Sequence, residues 1–311
     1  MIFIKISFIL IIELFKGDPM GYSTKQQHYI PQMILKRFYA DDYARDDKNK
    51  KNKYLWAYDK EKNKEYKIFK LKEICKRRNL YELKKYNNII EGTNNEIEKY
   101  LAKLELIWSK IFDKIENGNL DLSIDEIASI YHFVTIQMLR LPEIMKTNTY
   151  LITKQIEVEL KQNNCKKINS ELADAFAKFN ALYPYDMNDE NERRLHWMFE
   201  NVFLELAKKD LTIIHSSDTF ILNDENSFVV EFVSDMGKGG ILFPFSKKYA
   251  IFLENNADSD SIEFKGIKDI DRDSTKQINL AIAKRGRFLY SAKKISSVMS
   301  YNELTKIQNK I

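Results

Sequence analysis

Cysteine, histidine, proline and glycine are all scarce in this chain of 311 residues. The two cysteines, Cys75 and Cys165, form no C-x-x-C motif, which excludes a disulfide scaffold and a cysteine-based zinc site. The four histidines show none of the H-x-H, H-x-x-H or H-E-x-x-H spacings of metal-binding motifs. With nine glycines and five prolines, collagen-like, low-complexity and turn-dense all-β folds are not expected.

Aromatic and charged residues are plentiful by contrast. Hydrophobic residues make up 44% of the chain and aromatic residues 13%, a composition that supports a sizeable core and excludes a disordered chain. Lysine and arginine number 50 against 45 aspartates and glutamates, so the net charge is +5. This mild excess permits an anionic partner without demanding one. The sparse cysteines predict a cytoplasmic protein.

The apolar N-terminus predicts either a membrane segment or a translated leader. The run Ile6–Ile12 is short for a membrane span, which needs about 20 residues, and no small-x-small cleavage site follows it. Lys16–Asp18 can be encoded by AAAGGAGAT, a ribosome-binding sequence placed suitably before a start codon for Met20. We therefore expect residues 1–19 to be leader, and no membrane partner if Met20 is the true start.

Hydrophobic periodicity predicts helices over most of the chain and strands in two places. Helices are predicted at 94–116, 123–141, 143–162, 169–181, 190–209 and 274–291, with capping boxes at Thr93–Glu96 and Ser123–Glu126. Strands are predicted at 54–59, 65–71 and through 211–254. The predicted class is α+β, mainly helical, with an N-terminal β-hairpin and a C-terminal antiparallel β meander. Since no Pro/Gly/Ser-rich linker divides residues 20–311, one domain is expected.

Gln137 and Arg140 lie three positions apart on the most apolar predicted helix. A buried arginine needs a carboxylate partner, and Glu98 or Glu105 on the preceding helix could supply it. One interpretation is a polar site in which Arg140 binds a phosphate or another anion. The other is a buried ion pair that only holds helices together.

His28 and Asp218 are candidates for acid–base chemistry. His28 precedes a helix turn that begins near Pro31, and histidine can act as a general base near neutral pH. A surface or capping histidine is the alternative. Asp218 lies between two predicted strands, where it could be a base or a metal ligand, or could form an Asx turn.

Two further patterns point to nucleic acid, each with a simpler alternative. Glu65–Lys67 and Glu263–Lys265 match the E-x-K half of a restriction-type nuclease site, a tripeptide that is common in lysine-rich chains. Basic residues also cluster with aromatic ones near the C-terminus, as RNA or single-stranded DNA would require. They are Lys284, Arg285, Arg287, Lys293 and Lys294, with Phe288 and Tyr290. A solvated positive helix end is the alternative.

The order of several short motifs resembles a bacterial family called domain of unknown function 4238. The motifs are His28-Tyr-Ile-Pro-Gln, Leu35-Lys-Arg-Phe38, Leu55-Trp-Ala-Tyr-Asp59, Arg78-Asn-Leu-Tyr81, Asn95-Glu-Ile-Glu98 with Glu105, Gln137-Met-Leu-Arg140, Ser217-Asp218, Phe243-Pro-Phe-Ser246, Asn279 and Arg287-Phe-Leu-Tyr-Ser291. The resemblance spans His28 to Ser291. Thr219 stands where the family pattern usually has proline, and Phe245 stands where it has leucine.

The resemblance implies an accessory role in bacterial defence or toxicity, and it supplies no catalytic residues. We expect a nuclease-like or phosphodiester hydrolase, with a divalent metal as an open question. The alternative is a non-catalytic sensor or adaptor that binds nucleic acid or a phage protein. The hydrolase interpretation assigns catalysis to His28, Gln137 and Asp218, phosphate or substrate binding to Arg140, Asn279 and Arg285, and partner carboxylates to Glu98 and Glu105.

Overall fold

The computed structural model describes residues 26–40, 53–78, 80–81, 96–162, 177–178, 180–182, 197–225, 229–233, 239–255 and 263–308. These residues belong to two compact units. Unit 1 comprises the described parts of 1–29, 77–106 and 135–203, and unit 2 those of 30–76, 107–134 and 204–311. The predicted leader and the Thr93–Glu96 capping box lie outside the fully described residues. The prediction of one domain over 20–311 stays a prediction.

The secondary structure alternates between helices and short strands along the chain. The strands are β1 Gln26–His28, β2 Leu55–Asp59, β3 Lys64–Ile68, β4 Lys76–Arg78, β5 Lys209–Ser216, β6 Ile221–Asn223, β7 Val229–Val233, β8 Gly239–Pro244, β9 Tyr249–Asn255, β10 Phe264–Ile270 and β11 Phe288–Ser291. The helices are α1 Gln32–Lys36, α2 Glu96–Glu116, α3 Ile124–Leu139, α4 Pro142–Gln162, α5 Trp197–Ala207, α6 Arg272–Ala283, α7 Ile295–Val298 and α8 Tyr301–Gln308.

The strands form three sheets. In unit 2, a five-stranded sheet has the order β10-β5-β9-β8-β7, and a four-stranded sheet has the order β3-β2-β11-β6. A third sheet pairs β1 with β4. In the five-stranded sheet β10 runs parallel to β5, while the other neighbours are antiparallel. All pairs of the four-stranded sheet are antiparallel.

The prediction of a mainly helical chain with a C-terminal antiparallel meander is wrong. Helices hold 48% of the described residues and strands 26%, in three sheets. Strand β6 lies within the predicted meander at 211–254 but pairs in the four-stranded sheet. Strand β10 adds a parallel strand to the five-stranded sheet. Alternating apolar residues identify a strand but do not specify which sheet edge it will pair with.

The predicted helix 274–291 ends early for a related reason. Helix α6 stops at Ala283, Gly286 follows with φ +68°, and β11 then fills the place between β2 and β6. Leu289 and Tyr290 suit a helix face as well as a strand, so the available sheet partners decide.

The other long helices lie close to their predicted bounds. Helices α2, α3 and α4 correspond to 94–116, 123–141 and 143–162. The Ser123–Glu126 capping box forms, because the Ser123 amide donates to Glu126 Oε2 at 2.8 Å and the Glu126 amide donates to Ser123 Oγ at 3.2 Å. Within the described part of the chain, no helix combines the length and apolarity needed to span a membrane.

Aromatic rings fill the core of unit 2. Phe112 stacks on Phe245 with ring centroids 4.4 Å apart, and it meets Phe133 edge-on at 5.0 Å. Phe133 also contacts Trp108 at 5.2 Å and Phe243 at 5.4 Å. Such edge-on and offset pairs add to the free energy of burying the rings. This core anchors the Phe243–Ser246 motif against helices α2 and α3.

Helix α6 is bound to both large sheets through buried polar side chains. The hydroxyls of Thr275 and Ser216 at the end of β5 lie 2.6 Å apart. The buried Asn279 side chain donates to the Thr219 carbonyl at 2.8 Å and accepts from the Ile221 amide at 3.0 Å. Asn279 therefore pairs with backbone groups where the chain enters β6, as a neighbouring strand would.

Both ends of α6 are capped. Asp271 accepts from the Ser274 amide at 2.8 Å at the N-terminus. At the C-terminus, the buried Lys60 ammonium donates to the Ala283 carbonyl at 3.0 Å, and Asn223 Nδ2 donates to the Ile282 carbonyl at 2.7 Å. A cation at this end also interacts favourably with the helix dipole.

Gly286→Ala is expected to destabilise unit 2 more than Gly118→Ala. Both glycines have positive φ, so alanine costs about 1–2 kcal/mol of strain at either position. A Cβ at Gly286 would also lie 2.5 Å from Asp224 Oδ1, which accepts from the Phe288 amide at 2.8 Å. At Gly118 no described atom lies within 4 Å of such a Cβ. Urea unfolding measures both variants, and equal losses would contradict the clash.

Candidate functional site

Arg140 is the centre of a buried polar cluster in unit 1. Its side chain is 2% exposed, and its Nη1 donates to Glu105 Oε1 at 3.1 Å. Nε donates to Tyr81 Oη at 3.1 Å, and Nη2 donates to the backbone carbonyl of His28. The ion pair expected between Arg140 and Glu105 therefore forms. Each of the three guanidinium nitrogens of Arg140 donates to a protein oxygen, so Arg140 holds these partners in a fixed arrangement.

Tyr81 belongs to this cluster, although no role was predicted for it. Its amide donates to Gln27 Oε1 at 2.5 Å, and its hydroxyl lies 3.2 Å from the His28 carbonyl and 3.3 Å from the Arg140 carbonyl. Burial raises the pKa of Tyr81 to about 12 although Arg140 acts in the opposite direction. The phenol is therefore protonated at neutral pH. The Arg78-Asn-Leu-Tyr81 motif was the signal that could have identified it.

Glu98 is a largely buried carboxyl beside Arg140 and Glu105. Burial raises the pKa of this carboxyl above its usual range, Arg140 acts to lower it, and Glu105 raises it further. Glu98 Oε2 is buried and accepts no hydrogen bond from the described residues. A carboxyl that retains its proton at higher pH than usual can serve as a general acid.

The charge on Arg140 persists despite its burial. Burial lowers the pKa of Arg140, but Tyr81 and Glu105 raise it by more. Unit 1 therefore contains a permanently cationic guanidinium close to two carboxyl groups in different environments.

Gln137 and His28 join the cluster mainly through the backbone around His28. Gln137 is 1% exposed, and its Nε2 donates to the Tyr29 carbonyl at 2.8 Å. In the described structure, Gln137 Oε1 and Gln27 Nε2 are buried without hydrogen-bond partners. His28 is half-buried, and its carbonyl accepts from Arg140. The structure thus brings together five of the predicted residues: His28, Glu98, Glu105, Gln137 and Arg140.

Asp218 lies in unit 2, where it lines a cleft of about 360 Å³ at the first turn of α6. Its Oδ2 is 3.3 Å from Arg272 Nε, and its Oδ1 is 3.2 Å from Lys293 Nζ and accepts from the Thr219 amide at 2.8 Å. Burial raises the pKa of Asp218, but the Thr219 amide and the two cations lower it by more. A carboxylate stabilised in this way is a weak base, so its contacts support a structural role in the turn.

Asn279 lines the same cleft as Asp218, whereas Arg285 does not line it. Asn279 is buried against the backbone of β6, and Arg285 is exposed beyond the C-terminus of α6. Asp218, by contrast, contacts Arg272 at the helix N-terminus. A helix of 12 residues is about 18 Å long, so Asp218 and Arg285 lie at opposite ends of it.

The C-terminal basic and aromatic residues do not form one surface. Arg287 binds Asp59 Oδ2 at 2.8 Å and Glu61 at 2.7 Å, and Tyr290 is buried in β11. The ammonium of Lys294 lies 5.2 Å from the ring centroid of Trp56 on β2. The simpler alternative, cations dispersed around a helix end and its neighbours, fits these positions.

In each of the two E-x-K matches, the glutamate and the lysine do not act as a pair. Glu65 accepts from the Ser296 amide at 3.2 Å, while Lys67 lies over the rings of Tyr54 and Trp56. Lys265 contacts two carboxylates other than Glu263. Over the described ranges there is no group of three or more His, Cys, Asp or Glu side chains that could hold a metal ion.

Fold and side chains define an α+β protein with a buried, ion-paired polar cluster in unit 1. The chain belongs to a family of proteins of unknown function, DUF4238, whose model matches residues 26–294. No curated protein and no solved structure is significantly similar to it. The predicted family resemblance is confirmed, and the function has to be argued from the side chains.

Arg140→Ala is expected to cost about 3–5 kcal/mol of stability, because it leaves Glu105, Tyr81 and the His28 carbonyl without their buried cation. The double variant with Glu105→Ala should lose less than the sum of the two single variants. Urea unfolding of the native protein, the two single variants and the double variant measures this coupling. Arg77→Ala, which breaks an exposed ion pair with Glu143, is the control and should change little. Additive losses would show that Arg140 and Glu105 are not coupled.

Glu98→Gln is expected to stabilise the protein at pH 7 and to have little effect near pH 4. A carboxyl with a raised folded-state pKa binds its proton more tightly when folded, so the stability it contributes falls as pH rises from the unfolded pKa to the folded one. The urea midpoint at the two pH values measures this difference.

Glu126→Gln is a control for which the opposite change in stability is expected at pH 7. The Lys114 ammonium, together with the Ser123 amide, lowers the pKa of Glu126, so this carboxylate stabilises the fold above the unfolded pKa. Its removal should destabilise at pH 7 and matter less as the pH falls through the folded pKa. A Glu98→Gln effect that does not vary with pH would contradict the buried-carboxyl interpretation.

Proposed function

We propose that this protein is a nuclease-like phosphodiester hydrolase that acts on RNA, DNA or a nucleotide as a defence- or toxin-type effector. The observation that carries the proposal is the convergence in unit 1 of Glu98, a buried carboxyl with a raised pKa, with the Arg140–Glu105 pair and the backbone carbonyl of His28. The matched family is one of unknown function and names no activity. The effector-type role is taken from the expectation attached to the family resemblance.

The proposed reaction needs an acid, a base and an anion-binding group. Water attacks the phosphorus, the imidazole of His28 takes the proton of that water, and Glu98 gives its proton to the oxygen that leaves as the ester bond breaks. Arg140 contacts Tyr81, Glu105 and the backbone carbonyl of His28, and through this carbonyl it holds the segment that carries the His28 imidazole. N–H groups of Arg140 that these contacts do not use are the proposed phosphate ligands.

The test incubates the full chain with labelled total RNA, single-stranded DNA and double-stranded DNA, each with EDTA, Mg²⁺ or Mn²⁺. Glu98→Gln should lower the rate of cleavage by 10²-fold or more, the size of a general-acid contribution, although this variant is expected to be more stable. His28→Ala should lose cleavage too. Asp113→Asn, on an exposed carboxylate of unit 2, is the matched control.

The pH profile separates an acid from a structural residue. If Glu98 is the acid, cleavage by the native protein falls as pH rises through its folded pKa, and the residual activity of Glu98→Gln lacks this limb. Full activity in Glu98→Gln or in His28→Ala would refute the proposed roles.

A non-catalytic nucleic-acid-binding module is the second candidate, and one surface in unit 2 favours it. Two lysines lie close to the Trp56 ring, with Lys67 Nζ 5.1 Å and Lys294 Nζ 5.2 Å from its centroid. Lys67 Nζ is also 4.1 Å from the Tyr54 ring, and Phe69, 5.5 Å from Tyr54, is 52% exposed. Aromatic rings beside cations suit unstacked bases and their phosphates.

Binding without cleavage would distinguish this candidate. Quenching of tryptophan fluorescence by an unlabelled oligo-dT or oligo-U would report binding at Trp56, and Lys67→Glu with Lys294→Glu should weaken it at low salt. Retained binding by that double variant would exclude this surface. A phage protein as the partner would instead be found by capture with the native chain.

A further inference from the structure

Two buried carboxylates and one lysine meet in the five-stranded sheet of unit 2. Asp210 on β5 and Glu254 on β9 lie opposite each other in the strand register. Their side chains are 2% and 3% exposed. Lys265 on β10 approaches from the other side of β5, with its Nζ 2.5 Å from Asp210 Oδ2 and 3.3 Å from Glu254 Oε2.

Lys265 contacts only one oxygen of the Glu254 carboxylate. Glu254 Oε1 is buried and receives no hydrogen bond from the described residues. A buried carboxylate oxygen without a donor is costly, because it has lost its water without a replacement. Lys265 therefore contacts both carboxylates, and the second oxygen of Glu254 remains without a hydrogen-bond donor among the described residues.

We infer that Asp210 and Glu254 form a divalent-cation site for Mg²⁺ or Mn²⁺, and that Lys265 occupies the same position in the ion-free protein. Mg²⁺ binds oxygen ligands and is commonly held by one or two protein carboxylates, with water and substrate oxygens completing its shell. Mn²⁺ accepts the same ligands. Asp210 and Glu254 supply two carboxylates, which is enough for this mode of binding. They do not supply enough ligands to fill the coordination shell of the ion without water.

The same contacts specify how Lys265 should behave. The ammonium neutralises part of the buried charge, and a divalent ion would take over that role while Lys265 turns toward solvent, since its side chain is already 30% exposed. Lysine and metal are thus competitors. Removal of the lysine should strengthen metal binding, whereas removal of either carboxylate should weaken it. The inference does not rest on the hydrolase proposal, because it concerns binding alone and other residues.

The test is titration of the full chain with Mn²⁺. Binding is detected as a loss of the electron paramagnetic resonance signal of free Mn²⁺. The native chain should bind one Mn²⁺ that Mg²⁺ displaces. Asp210→Asn and Glu254→Gln should each weaken binding at least tenfold. Lys265→Met should tighten it at least tenfold, and Mn²⁺ should raise the melting temperature of this variant more than that of the native chain.

Glu303→Gln is the matched control, because Glu303 also pairs with one lysine, Lys276, at 3.0 Å, but has no second carboxylate opposite it in a strand register. Its Mn²⁺ binding should equal that of the native chain. The inference is overturned if neither the native chain nor Lys265→Met binds Mn²⁺, or if the bound ion is insensitive to Asp210→Asn and Glu254→Gln. Lys265→Met keeps the test decisive if a carboxylate variant does not fold.

Discussion

The burial of helix α6 against two sheets is the constraint on which unit 2 depends. A helix in this position must pair its terminal backbone groups and the loops it covers without help from water. Lys60 and Asn223 satisfy its C-terminal carbonyls, and Asn279 pairs with the chain where it enters β6. Because Asn223 lies on β6 itself, the same side chain contributes to the position of the helix and to that of the strand.

Buried charge is treated differently in the two units. In unit 1, Arg140 has a partner for each guanidinium nitrogen, and the incompletely satisfied group is the carboxyl of Glu98. In unit 2, Lys265 serves two carboxylates, and the incompletely satisfied group is Glu254. Natural proteins rarely leave buried oxygens without donors, and such groups often lie at functional sites. These two carboxyls, rather than the arginine or the lysine, are therefore the chemically informative ones.

Sequence patterns predicted the long helices well and the strand pairings poorly. The bounds of α2 and α4 and the Ser123–Glu126 capping box follow from local periodicity. The cost of burying a charge predicts a carboxylate partner for Arg140, either Glu98 or Glu105, and the partner is Glu105. The destination of β6 and the strand at β11 depend on partners far away in the chain. The role of Tyr81 was missed because a single tyrosine has no periodic signature.

The sequence by itself determined the α+β class, the family and a set of polar residues that had to be paired if buried. Only the tertiary structure decided which of them meet: Arg140 with Glu105 and the backbone of His28, and Asp210 with Glu254 through Lys265. The physical reason is that helix and strand propensities act over a few residues. Charge pairing and sheet register act between segments whose separation along the chain says nothing about their distance in space.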